Sequence, residues 1–98
     1  MKVQVQSIHF DADVKLIDLI QKKLDKLETF FDAAIDAEVI LKVNNEGVEN
    51  KTVEIKLNLP GEQLFAVKNN SSFEAATDHC TEALRRQIKK FKEKTLPH

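Results

Sequence analysis

The sequence predicts an α+β fold: a two-layer sandwich in β-α-β-β-β-α order, with two helices on one face of a mostly antiparallel four-stranded sheet. Three observations predict it. In two stretches the apolar residues recur at steps of three and four, as they do in helices that bury one stripe. Elsewhere they alternate with polar residues, the pattern of strands with one wet face, which belong to antiparallel sheets. Finally, the 98-residue chain has no repeat, linker or low-complexity stretch, so residues 1–98 read as a single domain.

Taken in order, residues 2–10 read as the first strand, with Val3 and Val5 alternating with Gln4 and Gln6. Ile8 and Phe10 take the opposite parity, which predicts a bulge or the strand end near Ser7. Asp13 is the N-cap of a helix running to about Phe31, whose core stripe is Leu16, Ile20, Leu24, Leu27 and Phe31. Ile17 and Phe30 flank that stripe, and Lys15, Lys22 and Lys26 stand nearly opposite it. Residues 37–43 form a second strand around Val39 and Leu41, and residues 44–50 have the composition of a turn. Residues 51–59 alternate cleanly, with Val53, Ile55, Leu57 and Leu59 on one side and Thr52, Glu54, Lys56 and Asn58 on the other. Pro60 and Gly61 make a tight turn into a fourth strand over residues 63–67. The second helix spans residues 71–94. Ser71 and Glu74 form its capping box, and Phe73, Ala76, Cys80, Leu84, Ile88 and Phe91 form its stripe.

Composition excludes several functions. With two glycines, Gly47 and Gly61, the chain has no phosphate-binding loop. His9 and His98 offer no metal spacing, and the acids between Glu28 and Glu54 lack a calcium-loop pattern. His79 and Cys80 are adjacent on a helix and so point about 100° apart, which rules out a thiol–imidazole pair. Cys80 also falls on the apolar stripe, as a small buried hydrophobe would. No enzyme activity, metal, cofactor, small-molecule substrate or membrane contact is expected. The first residues form no apolar signal segment, and a single cysteine suits a reducing cytoplasm.

Charge is unevenly spread. The net charge is −1, yet residues 84–94 carry six bases and one acid, while residues 28–54 carry seven acids and two bases. A helix C-terminus attracts cations through its dipole, but that accounts for two or three of them, not all. Lys22, Lys23 and Lys26 on the first helix and Arg85, Arg86, Lys89, Lys90, Lys92 and Lys94 on the second would meet on one outer surface if the helices pack side by side. Arginine clamps phosphate with two hydrogen bonds and lysine acts as a mobile point charge. The chain has no Trp or Tyr, and Phe91 is assigned to the core, so the basic region lacks an aromatic platform. Any RNA contact is therefore expected at backbone and shape rather than at stacked bases.

The chain resembles, along its whole length, the short form of the ribosome hibernation-promoting factors, the protein Y or ribosome-associated translation inhibitor family, also called sigma-54 modulation proteins. Residues 2–5 (Lys-Val-Gln-Val) and residues 21–28, followed by Phe31, carry part of the likeness. Ala75, Ala76, Thr77 and Asp78 are similar to the family's Ala-Ala-Ile-Asp, and residues 84–92 to its Leu-x-Arg-Gln-Leu-x-Lys-Tyr-Lys. Thr77 stands at the usual isoleucine and Phe91 at the usual tyrosine. The resemblance implies a fold like that of double-stranded RNA-binding domains. It also implies binding to the small ribosomal subunit and its rRNA, in the channel used by messenger and transfer RNA, and inhibition of translation in stationary phase or stress. Such a protein is expected in the cytoplasm, as a monomer off the ribosome. The dimerisation domain of the long form is not expected after His98. The family's basic positions fall on Lys22, Lys23, Lys26, Arg86 and Lys90; the helical wheel adds Arg85 and Lys89, and Lys92 completes the basic set.

Two other classes compete. A protein-interaction module would use the exposed sheet face, with Thr52, Glu54, Lys56 and Asn58 as its surface. A small enzyme of acylphosphatase type would need an arginine in an early glycine-rich loop and a terminal strand. Here no arginine precedes Arg85 and the chain ends in a helix.

Overall fold

A computed structural model of the protein describes residues 1–44 and 47–95; Asn45 and Glu46 of the predicted turn, and His98, lie outside the described residues. The elements follow the predicted order: β1 (Lys2–Ile8), α1 (Val14–Phe30), β2 (Asp36–Val43), β3 (Lys51–Leu59), β4 (Glu62–Asn70) and α2 (Phe73–Thr95). The strands lie in the sheet in chain order, with β1 parallel to β2 and the other two pairings antiparallel. The parallel pair follows from the helical crossover: α1 carries the chain back to the start of the sheet before β2 begins.

Register separates the two sheet faces. The row Val5, Val39, Ile55 and Ala66 is shared by all four strands, and its neighbours Leu41, Val53, Leu57 and Leu64 face the same way. These side chains meet the helix stripes Leu16, Ile20, Leu24 and Leu27 of α1 and Phe73, Ala76, Cys80, Leu84 and Ile88 of α2 in one core. Both helices thus lie on one face, and each stripe finds the apolar surface that its spacing demands. Thr77 is fully buried among them, and its hydroxyl donates to the Phe73 carbonyl at 2.7 Å, so its one polar atom is satisfied within the helix.

The opposite face is polar and internally paired. Lys42 bridges Glu54, Lys56 reaches Glu38 at 3.6 Å, and Asn58 donates to Asp36. Thr52, expected on this wet surface, is instead buried. Asn44 donates to its hydroxyl at 3.0 Å, and that hydroxyl donates to Asn69 at 2.8 Å, closing the face over it.

Three local expectations are settled by the structure. Of the two readings of the parity change in β1, the strand end holds and the bulge does not: pairing with β2 is unbroken to Ile8, and His9 then takes φ 65°. That left-handed residue redirects the chain, and Phe10 stacks on Phe73 at 5.2 Å. The α2 cap is Ser72, whose hydroxyl accepts from the Ala75 N–H at 3.1 Å, while the Ser71 hydroxyl is held by Asn70. Glu74 lies in the first turn, where an acid suits the helix dipole, but it is not three residues beyond the cap. Finally, β4 runs past residue 67, the expected end of the strand, to Asn70, because Lys68, Asn69 and Asn70 pair with Val53, Thr52 and Lys51.

Candidate nucleic-acid interface

The cations of the two helices are sorted by what each helix packs against. On α1 the flank beside β1 is acidic. The Met1 amino group lies 2.6 Å from Glu28 and 3.7 Å from Asp25, and Gln21 donates to Asp25 at 2.9 Å. The Glu28 hydrogen bond, above all, raises the affinity of that amine for its proton. With Asp25 and Glu28 drawn to this flank, the opposite flank presents Lys23, Lys26 and Phe30 to α2.

On α2 the residues Asp78, Thr81, Glu82, Arg85, Lys89 and Lys92 lie at successive helical turns along the side that meets α1. The result is an open groove between the helices. One part, of about 270 Å³, is lined by Lys23, Lys26, Asp78, Glu82 and Arg85, with Phe30 and Leu27 as its floor. The other, of about 760 Å³, is lined by Phe30, Glu82, Arg85, Arg86, Lys89, Lys92 and Glu93. Phe30, Glu82 and Arg85 belong to both.

Six of the nine basic residues singled out in the sequence therefore line one groove: Lys23, Lys26, Arg85, Arg86, Lys89 and Lys92. The other three do not. Lys22 on α1 and Lys94 near the end of α2 are exposed and line neither part of the groove. Lys90 sits one turn after Gln87, whose side chain donates to the Phe65 carbonyl of β4 at 2.9 Å, so that flank of α2 faces β4 rather than α1.

The groove cations are mostly not neutralised. Among the described residues Lys23 is the one basic member of the set in an ion pair, with Asp78 at 2.7 Å. Arg85 and Lys92 instead sit over the Phe30 ring, at 4.7 and 4.8 Å from its centroid, and Lys92 is 5.8 Å from that of Phe31. A ring face holds a cation without cancelling its charge. The expectation that the basic region lacks an aromatic is thus overturned. Phe30 flanks the core stripe by spacing, but it is only half-buried and lines the groove. The signal was present in the sequence: Phe30 follows Lys23 and Lys26 at helical steps of seven and four, which puts it on their side of α1.

Comparison with known proteins gives this geometry its context. The family described as "Sigma 54 modulation protein / S30EA ribosomal protein" matches residues 3–96. The chain belongs to that family. Among relatives of this S30EA protein, a ribosome hibernation promoting factor of Pseudomonas putida is 35% identical over 94 residues, covering 96% of this chain and 89% of the relative. A ribosome hibernation promotion factor of Deinococcus radiodurans is also 35% identical, over 93 residues, covering 91% of this chain and 48% of the longer relative. A ribosomal subunit interface protein from Coxiella burnetii superposes with a TM-score of 0.86 at 24% identity, covering 95% of this S30EA chain and 99% of its own. The N-terminal domain of Thermus thermophilus protein Y gives 0.81 at 24% identity, covering 93% and 99%. At that identity the superpositions speak for the fold alone.

Proposed function

We propose that this chain binds the small ribosomal subunit through the backbone of its rRNA and holds translation off during stress or stationary phase. The α1–α2 groove is the contact surface. It acts in the cytoplasm, as a monomer off the ribosome and without cofactor or catalysis. Family membership and the names of the relatives support the ribosome as partner. The single observation that carries the reading is that six cations from two helices line one groove and five of them lack a carboxylate partner among the described residues. Free cations cost nothing to release from existing pairs and displace counterions from several phosphates at once.

The test compares two double variants of equal charge change. Arg86→Glu with Lys89→Glu reverses the groove; Lys22→Glu with Lys90→Glu reverses two cations outside it. Sedimentation with ribosomes on sucrose gradients, at low and at high salt, should place the wild type in the small-subunit peak at low salt and release it at high salt. The groove variant should stay at the top of the gradient, and the outer variant should co-sediment nearly as well as wild type. Equal loss by both variants would mean that net charge, not the groove, drives the contact.

A further inference from the structure

We infer that the groove takes a single strand of RNA rather than a duplex, with one unpaired base stacked at the Phe30–Arg85 waist. This rests on the ribosome-binding reading and narrows it from RNA backbone in general to an unstacked nucleotide. Three observations lead there.

The first is shape. The groove runs along α2 from Asp78 to Lys92, which at the helical rise is a length of about 21 Å. At its Asp78 end it is walled by both helices, and beyond Phe30, where α1 ends, its lining comes from α2, so a strand entering between the helices is held on both sides up to the Phe30 waist. The second is composition. Six cations line it, against the three acids Asp78, Glu82 and Glu93, and a half-buried aromatic ring lies where its two parts meet. A charged track that follows the backbone, with an aromatic face for a base, is how sequence-tolerant single-strand sites are built. The third is the state of the ring in the absence of RNA. Phe30 is covered by Arg85 and Lys92, two cations without carboxylate partners among the described residues. Lys92 is a flexible point charge that can leave the ring for a phosphate and so open a ring face to a base, with the planar guanidinium of Arg85 beside it. Arg86 and Lys89, which line the same part of the groove, then meet the phosphates next to the stacked nucleotide. Glu82, which lines both parts, and Glu93 disfavour phosphates beside them.

The experiment uses two substitutions at Phe30. The chain has no tryptophan, so Phe30→Trp puts a lone indole at the waist. Titration with a single-stranded oligoribonucleotide of about ten residues should quench its fluorescence strongly, whereas the same sequence closed into a hairpin duplex should bind weakly and quench little. Fluorescence anisotropy with labelled RNA should show Phe30→Leu binding the single strand about tenfold more weakly than wild type, and Phe30→Trp binding at least as well. The dependence on salt should be the same for all three, because a stack is lost and no cation is. Duplex bound as tightly as single strand, an unquenched indole, or wild-type affinity in Phe30→Leu would each overturn the inference. The tryptophan measurement does not depend on Phe30→Leu folding. Sedimentation of the same proteins with ribosomes keeps the two readings apart. Ribosome binding that survives Phe30→Leu leaves the function standing without the stacked base, and a wild type that never co-sediments removes the function itself.

Discussion

Cys80 shows how a single residue's chemistry is set by its position. Its sulfur is buried, directed at the Val53 carbonyl at 3.2 Å, and burial pushes the thiol up to about 11. The folded chain therefore holds the proton more tightly than the unfolded chain, whose ordinary value is 9.0. Stability from this group is complete below pH 9.0 and is lost as the pH rises toward about 11. Denaturation midpoints at mildly alkaline and strongly alkaline pH should fall less in Cys80→Ala than in wild type, once the smaller side chain's own cost is subtracted. In the native protein the thiol should also react with a disulfide reagent at least about a hundredfold more slowly than in urea. At this scale the sequence was most legible where a residue lies on a stripe: Cys80, Leu84 and Ile88 were all placed in the core by spacing alone, and all are fully buried. It was least legible at Phe30. A residue on the border of a stripe can turn to the core or to a neighbouring helix, and what decides is the partner helix, which spacing within α1 does not contain.

Elements were set by pattern, and their ends by local hydrogen bonding. The alternation of β3 gave its bounds directly, because each inward residue has a helix to cover it and each outward one a cross-strand partner. The start of α2 was harder. Two serines in succession offer two capping registers, and Glu74 stands three residues after Ser71, which favours the wrong one on sequence grounds. The backbone chose Ser72, since Phe73 begins the helix and must point inward to reach Phe10. Two substitutions separate the registers. Ser72→Ala removes the acceptor for the Ala75 N–H and should cost about 1 kcal/mol in urea denaturation. Ser71→Ala removes only an exposed contact to Asn70, so its midpoint should match wild type closely. A larger loss from Ser71→Ala than from Ser72→Ala would reverse the assignment.

Across the whole molecule, a net charge of −1 hides a separation by layer. The acids of β2 and β3 sit on the open sheet face, where Glu38 and Glu54 are matched by Lys56 and Lys42, and Asp25 and Glu28 of α1 are held by the Met1 amine. The groove, on the other side of the core, keeps cations in excess. The sequence foretold this polarity from its charge runs, but not that Lys22 and Lys90 would fall outside the shared surface, because their direction depends on how the helices pack. Asp78 is the exception within the groove: its pair with Lys23 ties α2 to α1 while neutralising one of the six cations. Both partners are partly exposed, at 37% and 56%, so the pair contributes under about 1 kcal/mol to stability. Asp78→Asn should therefore leave thermal unfolding almost unchanged and free Lys23 for a phosphate. If the groove binds nucleic acid, affinity should rise severalfold at low salt, and the slope of log affinity against log salt should steepen by about 0.7 to 0.9, the increment for one added phosphate contact. A loss of affinity in Asp78→Asn, with the fold intact, would mean that the bridge is needed to set the helices' spacing and that Lys23 serves the groove as a strut rather than as a contact.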